Sequence, residues 1–534
     1  MSRFLSNLVL KRIVTLILVV SLTFLPIYLN TLGQKTETEY RLTLNSLHSS
    51  LSYSTYLGGN VDDRGCDITV ATDGSYFIVG YTASNNFPTL NAYDSINTEP
   101  YEIFITKFDI NNSLQWSTFF GGNRSDFGYN IAVTSDGSCY VTGNTESLDF
   151  PTKNAFNDTF GGGFNDAFIA KFSTTGSLLW SSFLGGKDRD QANGIVVVDD
   201  GSCYVTGDTL SSDFPTFNAY NNTFGGNSDI FVTKFSSDGT LLWSTFLGGD
   251  YDDNGNSIAV ASDGSCYITG STTSGNFPTL NAFNSTFNEN LYGESDVFVT
   301  KFSSTGNLLW STFLGGHFSE WGNGISVGSD GSCFLTGTTY SNNFPIMNAY
   351  DNSFNYFDSS TGAFSEAFIT KFSIDGSLLW STFLGGSNSD FGRSISISTD
   401  GSCYLTGETK SSDFPALNAY DKTYANGGKD AFVSKFSSNG VLLWCTYLGG
   451  DSVDLGCGIT ASDGCCYITG ATTSSNYPTK NAYDSTFNGG FVSGDAFVTK
   501  IVDSTKGENS AYYGFLSFLV IIPILIVVLR KRKK

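Results

Sequence analysis

The chain consists mainly of one sequence unit repeated seven times, and this repetition constrains its fold more than any other feature. Leu or Phe followed by Gly-Gly recurs every 63 to 70 residues along the sequence. The seven copies start at Leu57, Phe120, Leu184, Leu247, Leu314, Leu384 and Leu448. After Gly-Gly, every copy presents Asp-Gly, then Phe-Pro or Tyr-Pro, then Asn-Ala, then a Lys, in that order. A repeat of this kind is one supersecondary unit that buries its apolar faces against its neighbours.

Each copy predicts four short β-strands, which we name A to D. In the fourth copy they are residues 257–261, 265–270, 297–302 and 308–314. Asp263-Gly264 predicts a two-residue hairpin between strands A and B, and residues 304–306 predict a second tight turn between C and D. A long loop with Phe277-Pro278 joins B to C. No segment of this region has a helical period.

Four antiparallel strands repeated seven times are typical of a seven-bladed β-propeller, an all-β fold. The phase of the repeats predicts how the ring closes. The first copy begins with a strand-D sequence at residues 51–59, and the last ends after a strand-C sequence at 496–501. We therefore expect a propeller over residues 51–501 in which the N-terminal strand completes the last blade.

The motifs of the fourth copy are Trp243-Ser-Thr-Phe-Leu-Gly-Gly, Ser257-Ile-Ala-Val, Asp263-Gly, Tyr267-Ile-Thr-Gly, Phe277-Pro-Thr and Asp296-Val-Phe-Val-Thr-Lys301. Their order resembles the β-propeller repeat family (SBBP-type repeats) of prokaryotic cell-surface and secreted proteins. The resemblance covers residues 51–501; it implies a propeller and a surface or secreted location, and it implies no activity. The last copy departs from the pattern because its strand A is one residue shorter, which leaves the register of that blade open.

Two apolar segments flank the repeats. Residues 1–34 read as a signal anchor or signal peptide with a transmembrane helix at 13–32, and residues 511–529 as a second transmembrane helix. The basic tail 530–534 follows the second segment at once, which predicts that it is cytoplasmic and that the propeller lies outside the cell membrane. Residues 35–50 read as a polar stalk and 502–510 as a linker.

Charge and histidine content exclude several functions. The net charge is −22, and without the eight basic residues near the termini the remainder carries about −30. Such a body repels phosphate backbones, so nucleic-acid binding is excluded. With only His48 and His317, a histidine-based triad or a multi-histidine metal site is excluded as well.

The B–C loop is the part of the unit that varies in length, and it lies on the same rim of the predicted propeller as the D–A loop. Length variation confined to one rim is typical of a binding face, although drift in a tolerant loop gives the same pattern. The aromatic residues of this rim are candidate contacts for an extracellular glycan or protein. They are Tyr292, Trp321, Phe354, Tyr356, Phe357 and Phe364.

Acidic residues recur at two positions of the unit. The strand-A carboxyls follow Gly-Gly, and they are Asp63, Asp126, Asp190, Asp253, Glu320, Asp390 and Asp454. The strand-C carboxyls precede strand C, and they are Glu102, Asp166, Asp229, Asp296, Glu366, Asp430 and Asp495. The functional interpretation of these carboxyls is a cation site or an acid/base site. The structural interpretation is that they cap loops and form ion pairs with the strand-C lysines. Their presence in every blade favours the structural interpretation.

One loop resembles part of a calcium site. Asp250, Asp252 and Asn254, with Gly255, match the first half of an EF-hand loop, but Ala261 stands where its final Glu would be. Calcium is therefore possible, the alternative being an ordinary D–A loop, and no other cofactor is indicated.

The cysteines read mostly as buried apolar residues, because six share one slot at the start of strand B. A bond between Cys66 and Cys457 stays possible.

Five Asn-x-Ser/Thr sequons are glycosylation candidates if the propeller is extracellular. Their asparagines are Asn111, Asn123, Asn157, Asn221 and Asn284.

These features favour a membrane-anchored extracellular module with a binding, adhesion or envelope-structural role rather than an enzyme. The alternative is an extracellular propeller enzyme, acting on polysaccharide or as a quinone-dependent dehydrogenase. An enzyme predicts an asymmetric polar pocket near the axis that contains carboxylates of perturbed pKa. A third possibility, a passive spacer, predicts no ligand.

Overall fold

The computed structural model describes residues 47–505, except for residues 98, 289–293, 356–363, 426 and 490–493. The chain divides into one unit formed by Ser49–Asp503 and another formed by Met1–His48 with Ser504–Lys534. The second unit contributes only a few residues to the described part. Both predicted transmembrane helices, the basic tail and most of the predicted stalk and linker lie outside the described residues.

The described chain forms 28 β-strands. In chain order they are β1 (Leu47–Leu57), β2 (Asp63–Val70), β3 (Tyr76–Thr82), β4 (Glu102–Phe108), β5 (Leu114–Phe120), β6 (Asp126–Val133), β7 (Cys139–Thr145), β8 (Asp166–Phe172), β9 (Leu178–Leu184), β10 (Asp190–Val197), β11 (Cys203–Thr209), β12 (Asp229–Phe235), β13 (Leu241–Leu247), β14 (Asp253–Val260), β15 (Cys266–Thr272), β16 (Asp296–Phe302), β17 (Leu308–Leu314), β18 (Glu320–Val327), β19 (Cys333–Thr339), β20 (Glu366–Phe372), β21 (Leu378–Leu384), β22 (Asp390–Ile397), β23 (Cys403–Thr409), β24 (Asp430–Phe436), β25 (Leu442–Leu448), β26 (Asp454–Ser462), β27 (Cys465–Thr472) and β28 (Asp495–Thr505).

The strands form seven four-stranded sheets, which are the blades of a propeller. Six blades take four consecutive strands each, from β2-β3-β4-β5 to β22-β23-β24-β25. Strand A of each blade contacts strand A of the next, so the A strands surround the axis and the D strands form the outer edge. The predicted seven-bladed all-β propeller is confirmed.

The ring closes through the seventh blade, whose strand order is β1-β28-β27-β26. The N-terminal strand β1 thus takes the place of strand D beside β28, as the phase of the repeats predicted. Ser54 N–H donates to Lys480 O at 2.9 Å, and Lys480 N–H donates back to Ser54 O at 2.9 Å. Tyr53, Tyr56 and Leu57 of β1 are completely buried.

The repeated sequence marks have structural reasons. The Phe of Phe-Pro packs on the Phe of strand C, as Phe214 does on Phe231 with ring centroids 4.5 Å apart. The Asn of Asn-Ala has a left-handed backbone in all seven copies, with φ between 46° and 51°, a conformation that Asn tolerates better than most residues. Trp243 Nε1–H donates to Ser304 O in the next blade at 3.1 Å. The marks therefore position the loops and join neighbouring blades.

The A–B turn differs from its prediction. In the fourth copy Ala261 N–H donates to Ser265 O at 2.8 Å and Gly264 N–H donates to Ala261 O at 2.9 Å. This is a three-residue loop with Gly264 at φ 79°, the geometry of a type I turn followed by a glycine bulge, and not the two-residue hairpin that Asp-Gly predicted. The predicted C–D turn over 304–306 is confirmed, since Ser303 N–H donates to Asn307 O.

The shorter strand A of the last copy leaves the register of its blade unchanged. Ala461 faces Cys466 in the seventh blade, as Val197 faces Cys203 in the third. The missing residue is taken from the A–B turn, where Ser462 pairs with Cys465 and only Asp463 and Gly464 remain between them. The deletion thus occurs at a surface turn and spares the packed strands.

Within the residues that the structure describes, no helix has the length and apolar character that crossing a bilayer requires. The predicted membrane anchors are not among these residues, so they stay predictions.

Candidate functional site

The propeller is asymmetric around its axis where the D–A loops lead into strand A. We call this the axial mouth and define it by the second and fourth residues of the seven A strands, together with the neighbouring side chains at the ends of the B strands, Tyr81, Asp208, Tyr340 and Glu408. The second residues are Arg64, Phe127, Gln191, Asn254, Trp321, Phe391 and Leu455. The fourth residues are Cys66, Tyr129, Asn193, Asn256, Asn323, Arg393 and Cys457.

A β-bulge in every blade positions the fourth residue. In the first blade Gly65 pairs with Gly80 and Asp67 with Val79, so Cys66 between them has no partner in strand B. The same shift occurs in the other six A–B pairs. A bulge turns the extra side chain away from the pleated pattern, and bulges are frequent next to functional sites. Here it brings four different residue types to one ring of seven positions.

The sequence analysis missed this site. It followed differences in loop length, whereas the mouth differs by residue type at positions of constant spacing. The third residue of strand A is glycine in six copies and the sixth is isoleucine in all seven, while the second changes from arginine to tryptophan to leucine. Position-by-position comparison of the seven copies is the signal that would have found it.

One half of the mouth is joined by asparagine amides. Asn193 donates from Nδ2 to Gly255 O at 3.0 Å, Asn256 to Gly322 O at 2.9 Å and Asn323 to Gly392 O at 2.7 Å. Each bond joins the bulge of one blade to strand A of the next. These three asparagines therefore hold the inner strands of blades three to six together.

A second sector is aromatic and charged. The Trp321 and Tyr340 rings lie 5.6 Å apart, edge to face. Arg393 donates from Nε and Nη2 to Glu408 at 2.9 and 2.6 Å, and Lys429 lies 3.3 Å from the same carboxylate. Burial pushes the pKa of Glu408 upward, but the bonds from Arg393 and Lys429 hold it below its usual value. Glu408 is therefore an anion with both of its cationic partners in place.

Further along the A strands lies an axial cavity of about 250 Å³. Isoleucines from all seven blades line it, together with small polar residues and Asp67. Asp67 accepts a hydrogen bond from Ile131 N–H at 3.1 Å, and burial raises its pKa to about 7. Among the described residues that line this cavity, Asp67 is the only titratable one, so no acid and base are paired there.

The structure separates the predicted rim aromatics. Trp321 belongs to the mouth, where 39% of its surface is exposed. Phe354 lies in the B–C loop and packs on Phe383 at 5.5 Å, as Phe160 does on Phe183 and Phe224 on Phe246 in other blades. Phe364 is half-buried just before β20. Tyr292, Tyr356 and Phe357 lie outside the described residues, so a shared rim surface stays a prediction.

The two sets of carboxyls meet at the Gly-Gly corners between blades. A Cβ atom on Gly185 would lie 2.7 Å from Asp190 Oδ2 and 3.2 Å from Asp166 Oδ1. Asp190 accepts hydrogen bonds from Gly186 N–H at 2.7 Å, from Ser211 Oγ at 2.9 Å and from the Thr209 hydroxyl. Asp166 Oδ2 accepts from Gly161 N–H at 2.6 Å, while its Oδ1 has no donor among the described residues. The loop-capping interpretation of the carboxyls fits this geometry.

Burial dominates the titration of these pairs. It raises the pKa of Asp190 to about 6 and that of Asp166 to about 7. Equivalent pairs occur at other corners, for example Asp454 with Asp430, where burial raises the pKa values to about 6 and about 7. A perturbed pKa that recurs in every blade marks a structural element rather than one catalytic residue.

The expected ion pairs between these carboxyls and the strand-C lysines do not form. Lys171 is five residues beyond Asp166, at the other end of strand C, and its Nζ lies 4.8 Å from the centroid of the Tyr140 ring. Lys234 lies over Tyr204 at 4.6 Å in the same way. Strand C is a seven-residue extended segment, so its two ends lie on opposite rims. The lysines cover aromatic rings there.

No group of three or more His, Cys, Asp or Glu side chains is placed to hold a metal anywhere in the described part of the chain. Asp250 and Asp252 are exposed in the D–A loop, Asn254 is half-buried in the mouth, and Asp253 between them points inward as a strand-A carboxyl. Calcium binding by Asp250, Asp252 and Asn254 stays a prediction.

All ten cysteines, including Cys66 and Cys457, are unbonded. The disulfide that the sequence left open between Cys66 and Cys457 is therefore not formed.

The sequons fall into two groups. Asn111 and Asn123 are exposed on turns. Asn157, Asn221 and Asn284 are half-buried at equivalent places in the B–C loop, where each side-chain oxygen accepts a hydrogen bond from the backbone N–H two residues later. Their modification stays a prediction, and Asn111 and Asn123 are the more accessible sites.

This architecture defines the chain as a seven-bladed β-propeller. It carries the SBBP beta-propeller repeat, whose family model matches residues 115–151, 242–278 and 379–415, as the order of motifs predicted. Each matched segment runs from strand D of one unit through the Phe-Pro mark of the next.

Among curated proteins, the chain is 28% identical over 148 residues to the regulatory protein FlaEY of Caulobacter vibrioides, a match that covers 28% of this chain and 15% of that protein. It is 22% identical over 342 residues to an uncharacterized WD repeat-containing protein of Acanthamoeba polyphaga mimivirus, covering 51% of this chain and 24% of that protein. The chain thus spans a quarter or less of the length of these relatives.

Similar solved structures include the WD40 beta propeller domain of Doa1, with a TM-score of 0.43 and 10% identity over 87% of this chain and 98% of that one. A protein of unknown function from Dyadobacter fermentans gives 0.40 and 8% over 86% and 100%. The Neurospora crassa Pan2 WD40 domain gives 0.39 and 7% over 86% and 98%.

Proposed function

We propose that this protein is a membrane-anchored extracellular binding module whose ligand occupies the axial mouth. The observation that carries the proposal is the diversity of the mouth within an otherwise repetitive framework. Seven blades keep the same four-stranded order, yet the second and fourth residues of their A strands include arginine, cysteine, tyrosine and tryptophan. Asymmetry concentrated at one concave place is what recognition of a single ligand requires.

The composition of the mouth supports binding. Trp321, Phe127 and Phe391 are large aromatic residues that keep part of their surface exposed. Aromatic rings give much contact area at a small cost in side-chain entropy, and arginine adds directional hydrogen bonds. An extracellular glycan or protein is the partner that this combination favours, and nucleic acid is disfavoured by the acidic body.

The anchoring part of the proposal rests on the sequence. The apolar segments 13–32 and 511–529, with the basic tail 530–534, favour a propeller outside the cell and a cytoplasmic C-terminus. The neighbouring positions of β1 and β28 in blade seven support it, because the chain enters and leaves the propeller at adjacent strands. We extend the proposal to an adhesion or envelope role on this basis.

A binding role is favoured over an enzymatic one. The enzyme alternative predicts carboxylates of perturbed pKa in an asymmetric axial pocket, and Asp67 meets part of that description. A hydrolase needs a second group in a complementary state, and the other described residues lining the cavity supply none. The two mouth acids Asp208 and Glu408 are engaged by arginines at 3.1 and 2.6 Å.

The proposal is tested with the full chain in detergent micelles on an array of neutral and acidic oligosaccharides, and with intact cells by flow cytometry. Trp321→Ala in the mouth should reduce binding at least tenfold. Ile110→Ala is the matched control, because Ile110 is 57% exposed on the C–D turn of the opposite rim. Equal binding by the two variants contradicts the mouth as the site, and absence of any binding favours the spacer.

A further inference from the structure

The basic residues of the propeller are distributed unevenly. Its four arginines, Arg64, Arg124, Arg189 and Arg393, all lie in a D–A loop or in the first half of strand A. Two of them belong to ion pairs at the mouth, because Arg189 lies 3.1 Å from Asp208 and Arg393 lies 2.6 Å from Glu408. Three of the four arginines thus lie at the mouth of a protein whose net charge is −22.

Arg64 differs from these two, because no carboxylate of the described residues lies within ion-pair distance of it. Its Nη2 instead contacts Cys457 Sγ at 3.4 Å across the interface between blades one and seven. Burial raises the pKa of the neighbouring Cys66 thiol to about 12, so this group is neutral and does not compensate the guanidinium. Arg64 is itself half-buried, which leaves a cation in a partly desolvated place without a counter-ion.

Aromatic rings continue the surface beside Arg64. Tyr81, its cross-strand neighbour, lies 5.1 Å from Phe127 and 5.6 Å from Tyr101, centroid to centroid. Phe127 and Tyr129 are nearly parallel, with an interplanar angle of 17°. All four rings are half-buried and belong to blades one and two. They offer apolar ring surface together with the phenol hydroxyls of three tyrosines.

A guanidinium pairs best with a planar carboxylate through two parallel hydrogen bonds. Ring faces contact the apolar faces of a compact ring, while hydroxyls bond to its polar edge. Acidic sugars combine these features, since they carry a carboxylate on a ring that is apolar on its faces and rich in hydroxyls at its edge. A folded acidic protein surface offers the carboxylate without such a ring.

We propose that the mouth sector formed by Arg64, Tyr81, Phe127 and Tyr129 binds a carboxylate-bearing saccharide, with the guanidinium on the carboxylate and the aromatic rings against the sugar. This inference rests on the proposed function and specifies its ligand class.

The test measures binding of the full chain in detergent micelles to three acidic probes by isothermal titration calorimetry. The probes are a hyaluronan hexasaccharide, trigalacturonate and 3′-sialyllactose, each paired with its carboxyl-reduced counterpart. At least one acidic probe should bind, and its reduced counterpart should bind at least tenfold more weakly. Arg64→Gln should weaken binding of the acidic probe about 10- to 100-fold, the range for a hydrogen-bonded charge pair.

Arg124→Gln is the matched control, because Arg124 is an exposed arginine of a D–A loop outside the mouth, and it should bind like the unmodified chain. Equal thermal melting of the two variants shows that the fold is intact. Equal binding of the acidic and reduced probes, or an unchanged affinity in Arg64→Gln, overturns this inference. The proposed function still stands in that case if Trp321→Ala weakens binding at least tenfold. Preference for an aspartate-rich peptide over all three acidic sugars also overturns it.

Discussion

Ser54 and Thr499 are 445 residues apart in the sequence, yet their side-chain hydroxyl oxygens lie 2.8 Å apart in the seventh blade. This bond joins β1 to β28, so the first strand of the ring completes the sheet made by the last residues of the ring. In a propeller closed in this way, β28 is paired on both sides and leaves no free edge at the junction.

Removing β1 should open the ring. A chain that starts at residue 58 loses the buried Tyr53, Tyr56 and Leu57 and leaves β28 as an unpaired edge. We expect a lower melting temperature and concentration-dependent association by size-exclusion chromatography. A chain that starts at residue 47 is the control, because it lacks the same N-terminal segment but keeps β1. Equal melting of the two chains would show that the strand is dispensable.

The inter-blade tryptophans make glycine necessary at the C–D turn. A Cβ atom on Gly306 would lie 3.0 Å from Trp243 Cδ2, and its φ is 82°. Gly306→Ala should therefore cost about 2–4 kcal/mol of unfolding free energy, from left-handed strain plus displacement of the indole. Gly464→Ala has a similar φ of 66° and no heavy atom within 4 Å, so it should cost only about 1–2 kcal/mol. Urea denaturation measures the free energy of unfolding of both variants. An equal loss in the two would show that contact with the Trp243 indole does not make glycine necessary.

The carboxyl pairs predict stability that falls as the solution becomes alkaline. The folded-state pKa of Asp166, about 7, is above its ordinary value, so the folded protein holds a proton that the unfolded chain releases. The contribution of this protonated carboxyl to the free energy of unfolding is fully present below the ordinary carboxyl pKa near 4. It is lost as the pH rises through about 7. The melting temperature should therefore fall as the pH rises from about 4 to about 7 and should level off above that range.

Substitutions within one pair test that assignment. Asp166→Asn supplies a neutral donor where the protonated acid stands, so it should keep stability at pH 8 and reduce the pH dependence. Asp190→Asn replaces an acceptor of three hydrogen bonds and should cost about 2–4 kcal/mol at any pH. If added calcium restores the melting temperature at pH 8, a cation and not a proton joins the pair.

Thiol reactivity should separate two kinds of cysteine. Burial raises the pKa of Cys139, Cys203 and Cys266 to about 12, and their side chains are fully buried. Cys457 is unbonded and half-exposed at the axial mouth, so a reagent can reach its sulfur. Iodoacetamide labelling of the native chain, read by peptide mass spectrometry, should modify Cys457 first. Labelling of Cys203 at the same rate would contradict the packing of strand B.

The proposed topology predicts one-sided access. On intact cells, a membrane-impermeant amine reagent should modify the exposed Lys187 and Lys410 of the propeller and leave Lys533 and Lys534 of the tail unmodified until the membrane is permeabilised. Modification of the tail before permeabilisation would contradict the topology.

Much of the architecture was predictable because it depends on what the seven copies share. The spacing of Gly-Gly gave the blade number, and the leading strand-D sequence gave the closure between β1 and β28. Two details were wrong for local reasons. Asp-Gly was expected to make a two-residue hairpin, but Ala261 and Ser265 bracket a three-residue loop. The strand-C lysines were expected to form ion pairs with the strand-C carboxyls, but the two groups lie at opposite ends of the strand.

Comparison of the seven copies would have marked the variable positions of strand A, but it would not have shown that they meet at one mouth, because that placement depends on the bulge. Nothing in the sequence around Cys66 or Arg393 signals an unpaired residue, since the bulge arises only when strand A pairs with strand B. Likewise, Trp321 was predicted as a rim aromatic, but its neighbour Tyr340 in the mouth became evident only from the fold.

Hydrogen–deuterium exchange of the full chain, with and without the oligosaccharide that binds most tightly on the array, tests the central claim most directly. If the ligand occupies the axial mouth, peptides covering the starts of β2, β6, β18 and β22 should gain protection, while the C–D turn around Ile110 should not change. Protection confined to the B–C loops or to the opposite rim would contradict the account.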